Sequence, residues 1–129
     1  MFLLHPPIAP WAVADASGLQ LLLLASEPLA PGSVFVRMLP DNEEELTPMH
    51  ADGRQGGLHR WRARVRWDGS HALTLYCFVA DTPQGPCWLA ADGSHAHVPP
   101  EARHFRVHAS EQPPADKHLR GGTMVTGFK

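Results

Sequence analysis

Apolar and polar positions along this chain fall into short runs, and turn-forming residues separate the runs at regular intervals. "LQLLLLA" (19–25), "VFVRML" (34–39), "LHRWRARVRW" (58–67), "HALTLYCFVA" (71–80), "CWLA" (87–90) and "HFRVH" (104–108) each have the length of a β-strand. None carries a helical period. "ELTPMH" (45–50) is a weaker run interrupted by Pro48, which suits an edge strand. "SEPLAPGS", "PDN", "ADGRQGG", "DGS" and "DTPQGP" mark the breaks. "ADGRQGG" reads as a turn or loop, and "DGS" as the closure of a hairpin between the strands on either side of it. Turn signals roughly every 8–12 residues predict an all-β fold, an immunoglobulin-like antiparallel β-sandwich of about seven to eight strands. A small barrel is the alternative. The sandwich is expected over 1–109. The polar, Pro- and Gly-rich stretch 110–129 reads as a linker and an unstructured tail.

The clearest alternation lies in "HRWRARVRW" (59–67). Successive strand side chains point to opposite faces, so Arg60, Arg62, Arg64 and Arg66 share one face. Trp61, Ala63, Val65 and Trp67 share the other. Binding of single-stranded nucleic acid needs aromatics and cations on the same exposed surface, and this strand separates them. It therefore predicts a buried tryptophan face and a solvated arginine face, with carboxylates of "DNEEE" (41–45) available to neutralise part of it.

Composition narrows the function classes. Apolar residues make up 43% and charged residues 19%, as expected of an ordinary globular chain. The 129 residues fit one domain, and the net charge of -2 argues against a nucleic-acid partner. The two cysteines, Cys77 and Cys87, sit in apolar runs and read as reduced thiols rather than a bridge. "MFLLHPPIAPWAVADA" lacks a basic start, and three prolines break its apolar run, so it makes a poor signal peptide. No apolar run approaches the roughly 20 residues that span a bilayer. The expectation is a cytoplasmic protein without membrane contact.

Candidate chemistry is sparse. His95 and His97 would share one face of a strand, with His104 and His108 further on. No third ligand is marked by spacing, so neither a metal nor another cofactor is expected. Asp41, Asn42, Glu43, Glu44 and Glu45 offer paired carboxylates, which glycosidases use. Acidic residues adjacent in a turn lack the burial that would separate their pKa values, so no catalytic residue is assigned. They suit contact with a polar ligand or partner better. No nucleophile elbow, P-loop or dinucleotide fingerprint occurs.

"DNEEELTPMH", "WRARV", "LYCF", "CWLAADG", "VPPEA" and "HFRV" occur in an order that resembles one known domain. This is the N-terminal β-sandwich of bacterial maltodextrin glucosidases, in the α-amylase superfamily beside neopullulanases and cyclomaltodextrinases. The similarity runs over about residues 1–116. It implies a starch-binding-like accessory sandwich placed before a catalytic (β/α)₈ barrel, which needs roughly 200 further residues. The barrel of such an enzyme carries the catalytic carboxylates, and no matching position here is catalytic. The implied partners are maltodextrin or that barrel, with a possible homodimer in which the sandwich leans over the neighbouring active-site mouth. Trp61, Tyr76, Phe78 and Trp88 match aromatic positions of the pattern. Asp41, Asn42, Glu43 and Glu44 match its acidic loop, and with His50 they are the candidate contacts to carbohydrate or partner. After the linker a family member continues with a Trp- and Tyr-containing segment, where this chain has "KHLRGGTMVTGFK". The second reading is a stand-alone interaction module whose arginine face binds an acidic partner.

Overall fold

The computed structural model describes residues 1–15, 18–40, 43–67 and 73–108, together with the backbone of 123–124. Its strands are β1 (Leu3–Leu4), β2 (Ala12–Asp15), β3 (Gly18–Ala25), β4 (Val34–Leu39), β5 (Glu45–Pro48) and β6 (His50–Gln55). They continue with β7 (Leu58–Val65), β8 (Leu73–Thr82), β9 (Gly85–Ala90), β10 (Gly93–His95), β11 (Phe105–His108) and β12 (Thr123–Met124). All pairings among them are antiparallel and form two sheets. The first runs β12-β2-β3-β7-β6, with β1 also on β3; the second runs β10-β9-β8-β4-β5, with β11 also on β8. The fold is the all-β sandwich that the strand spacing predicts.

Alternation builds the core between the sheets. Leu19, Leu21 and Leu23 of β3 and Trp61, Ala63 and Val65 of β7 face Val34 and Val36 of β4 and Tyr76, Phe78 and Ala80 of β8 within one buried cluster. Close approach of β3 and β7 also fixes a glycine. Gly18 has φ +145°, and a Cβ there would stand 2.5 Å from the Val65 carbonyl oxygen. At the far edge the chain changes sheets within one continuous stretch. Met49, buried between β5 and β6, donates its N–H to the Val34 carbonyl at 2.8 Å. That bond ends pairing with the second sheet before β6 joins the first.

His5 ties the sheets together at the opposite edge. Its Nδ1–H donates to the Leu22 carbonyl at 2.7 Å, which leaves Nε2 to accept the Tyr76 hydroxyl at 3.0 Å. The rings of Phe78 and Phe105 enclose it, at centroid distances of 4.6 and 4.9 Å. Burial holds the imidazole well down, at about pKa 4, so it is neutral at physiological pH.

Two expectations fail here. "ADGRQGG" is largely strand: β6 spans His50–Gln55, with a bulge between Ala51 and Arg54, and only Gly56–Gly57 turn. As an exposed edge strand, β6 has no buried face to impose alternation. "DGS" closes no hairpin, because β7 pairs with β3 and β6 while β8 pairs with β4, β9 and β11. That connection passes from one sheet to the other, and its residues 68–72 lie outside the described set. The short strands β1 and β2 lie in the Pro-broken N-terminal stretch, where no strand is predicted, and β10 and β12 have no counterpart among the apolar runs. Of the stretch read as linker and tail, only Thr123–Met124 is described, paired with Val13 and Ala14 of β2.

Candidate functional site

The two outer faces of the sandwich offer different chemistry. On the first sheet, Arg62, Arg64 and Arg66 are exposed while Trp61, Ala63, Val65 and Trp67 are buried. Arg64 lays its guanidinium against both oxygens of Asp15, at 3.3 and 2.9 Å. Arg60 and Arg62 share Asp52, with ion-pair distances of 3.0 and 3.8 Å. The carboxylates on this face thus come from Asp15 and Asp52. Glu44 of the "DNEEE" segment pairs instead with Arg37 on the second sheet. Among the described residues of that segment, Glu44 does not neutralise the arginine face as expected: β7 and β4 belong to different sheets, and Glu44 beside β4 serves Arg37.

On the second sheet an outward row of side chains crosses five strands. His95, Trp88, Val79, Phe35 and Pro48 are successive cross-strand partners. Trp88, Val79 and Phe35 are half-buried, Pro48 is exposed, and Leu46 beside them is 52% exposed. The next row sets Cys77 opposite Arg37 and Arg37 opposite Leu46. Arg37 is the polar centre of this face. Its Nε–H donates to Glu44, and its Nη1–H donates to His104 Nε2 at 3.1 Å. His104 can accept there because its Nδ1–H donates to the Pro100 carbonyl at 3.0 Å. Burial and the facing guanidinium both favour the neutral ring, and the pKa of His104 lies below the usual value. Cys77 is fully buried, which pushes its thiol up to about 11 against the opposing pull of Arg37. A thiol so placed is a poor nucleophile.

The candidate contact residues separate. Glu43 donates its N–H to the Pro40 carbonyl at 3.0 Å, closing the turn before β5. Glu44 lies on Arg37 over the second sheet, whereas His50 begins β6 on the first sheet, opposite Arg62. Asp41 and Asn42 lie outside the described residues. The histidines do not converge either. His95 Nε2 meets Asp92 at 2.7 Å while His104 faces Arg37, and among the described residues no three ligands gather for a metal. Cys77 and Cys87 are free thiols.

Two surface clefts flank the sheet edges. One of about 260 Å³ is lined by Leu3, Leu4, His5, Leu89 and Phe105 among others. The other, of about 390 Å³, lies between Met1, Glu27, Gln84 and Cys87. Burial raises the pKa of the Cys87 thiol in the second cleft, which makes it a poor nucleophile. The row Trp88–Val79–Phe35 is concealed in the sequence, because apolar side chains occupy both inward and outward positions of β4, β8 and β9; only register reveals it.

No family model and no curated protein matches the chain. Among solved structures, one named cyclomaltodextrinase superposes with a TM-score of 0.70 at 17% identity. In fold, this chain is similar to cyclomaltodextrinase. The superposition covers 88% of the chain and 21% of that protein, so the chain spans about a fifth of its length. At this identity the likeness shows the sandwich fold. Among the described residues no helix is long and apolar enough to cross a membrane.

Proposed function

We propose that this chain is a non-catalytic N-terminal accessory domain of a maltodextrin-hydrolysing α-glucosidase of the α-amylase superfamily. One observation carries the reading. The sandwich superposes over 88% of its length on a fifth of a cyclomaltodextrinase, a proportion suited to an accessory unit. The ordered strings from "DNEEELTPMH" to "HFRV" support the same assignment. So does the chemistry: Glu44, Asp92, His5, His95 and His104 are engaged in ion pairs and hydrogen bonds of the scaffold.

In this reading the catalytic carboxylates belong to a barrel elsewhere in a cytoplasmic enzyme. The sandwich contributes contacts to maltodextrin, to the barrel, or to a second copy across the active-site mouth. The loop Asp41, Asn42, Glu43 and Glu44, with His50 beyond β5, supplies polar groups for that contact. Carboxylates and amides accept and donate hydrogen bonds to sugar hydroxyls.

The test is a titration of the isolated chain with maltotetraose, followed by calorimetry and by tryptophan fluorescence, alongside an assay for released glucose. An accessory surface that needs its barrel binds no tighter than about 1 mM, near 4 kcal/mol, and releases no glucose. Micromolar affinity would show a self-sufficient sugar site, and hydrolysis by the pure chain would overturn the reading altogether.

A further inference from the structure

We infer that the outer face of β7 is a docking strip for an extended, carboxylate-rich segment of a partner protein. This goes beyond the accessory-domain reading and does not depend on it. Arg60, Arg62 and Arg64 of β7 stand on one face with stems spaced by about 6.6–6.8 Å along the strand, and Arg66, just past its end, continues the exposed alternation. Among the described residues two carboxylates, Asp15 and Asp52, answer them, so the arginines outnumber their described partners by two in a chain whose net charge is -2.

The distribution of donors says where a ligand would sit. Arg64 commits its fork to Asp15, and Arg60 commits its own to Asp52 and Gln55. Arg62 has only a 3.8 Å ion pair to an aspartate already held by Arg60, and its side chain is 55% exposed. Arg66 is exposed and has no hydrogen-bond partner among the described residues. Two guanidinium forks are thus open on one face, four residues apart. Each presents paired N–H groups that match a carboxylate bidentately.

The strip is also pre-organised. Leu22 and Leu24 of β3 point away from the core, yet they are only 8% and 4% exposed. They lie directly opposite Arg62 and Arg60 in the register, which sets them beside the arginine stems on the same face. A stem held on an apolar floor loses less freedom when its head binds a ligand.

An extended acidic peptide repeats its side chains on one face with the same alternate spacing as β7, so carboxylates four residues apart reach Arg62 and Arg66 together. Single-stranded nucleic acid fits less well. The aromatics that would stack its bases, Trp61 and Trp67, are buried, and two carboxylates interrupt the row.

The experiment uses the full chain and two fluorescein-labelled probes, a short polyglutamate peptide and an oligothymidylate of equal length, read by anisotropy. The polyglutamate is expected to bind saturably at low salt and to weaken at about 0.15 M salt, where the Debye length falls to about 8 Å. Arg62→Glu/Arg66→Glu is expected to lose at least about tenfold in affinity, as is the milder Arg62→Gln/Arg66→Gln if the reversal disturbs folding. Arg106→Glu, on β11 of the other sheet, should bind as the parent does. Tighter binding of the oligothymidylate, no saturable binding of polyglutamate, or an unchanged affinity in both double variants overturns the proposal. None of these outcomes bears on the maltotetraose titration.

Discussion

The two sheets share one core, but their outward faces differ. β7 carries Arg60, Arg62 and Arg64, with Arg66 just past its end, beside Leu22 and Leu24 of β3, and Asp52 of β6 and Asp15 of β2 partly balance them. The second sheet turns out Trp88, Val79, Phe35 and Pro48, with Arg37, held by Glu44 and His104, beside them. Both faces belong to antiparallel sheets, so backbone geometry does not explain the contrast. Side-chain choice does: one surface is built to stay wet, while the other keeps a contiguous apolar row of the kind that marks a contact surface.

The sharpest test of this two-faced construction uses adjacent residues of β7. Trp61 is 3% exposed and packs in the central cluster, whereas Arg62 stands on the other side. Trp61→Ala should cost about 3–5 kcal/mol, through lost burial and the cavity left behind. The indole N–H of Trp61 meets no acceptor among the described residues, so Trp61→Phe forfeits volume without breaking a hydrogen bond. It should cost less than about 1.5 kcal/mol. Urea unfolding with a constant m-value reads both. Equal losses for the two variants would mean that the indole hydrogen, not the packing, matters at this position.

The next effect in size joins the sheets through His5. Burial lowers its pKa from 6.5 to about 4, so the unfolded chain takes up this proton at higher pH than the folded one. The contribution of the neutral ring is therefore complete above pH 6.5 and is lost as pH falls toward 4, to a total of roughly 3 kcal/mol. His5→Gln keeps a donor for Leu22 and an acceptor for Tyr76 without a titrating group. Denaturant midpoints at pH 7 and pH 4.5 should fall much further for the parent than for this variant. Parallel decline in the two proteins would remove His5 as the cause.

The contrast between faces also explains which features can be read from residue order. In β7 the alternation is strict, so its buried and solvated sides are legible from residue order alone. In β4 and β8 both faces carry apolar side chains, Phe35 and Val79 on the outer one included, and the row through Phe35, Val79 and Trp88 emerges only from the cross-strand register. β6 escapes the pattern because an exposed strand carries no hydrophobic period. His5 sits in a Pro-rich stretch with no pattern at all, yet becomes a buried link 71 residues from Tyr76 in sequence. The candidate acidic loop is visible as a cluster, but its attachment is not. Glu44 reaches Arg37 because β5 folds back along β4, and nothing in the charge pattern chooses Arg37 over the arginines of β7. Long-range pairing decides these features, and periodicity carries only local information.

The smallest effect compares one arginine from each face. Arg37 is 15% exposed, and its removal would leave both Glu44 and the buried Nε2 of His104 without their donor. Arg62 is 55% exposed and holds Asp52 only at 3.8 Å, while Arg60 already serves that carboxylate. Arg37→Ala should therefore destabilise by about 1–3 kcal/mol, the cost of stranding a buried acceptor beside a carboxylate. Arg62→Ala should stay within about 0.5 kcal/mol, because solvent and salt screen an exposed pair and the remaining arginine keeps Asp52 occupied. Denaturant midpoints of the two variants at one pH make the comparison directly. A large loss at Arg62 would show that the arginine stems hold the first sheet together by covering Leu22 and Leu24. The strip would then be scaffold as well as surface, and polyglutamate binding would have to be tested through Arg66 alone.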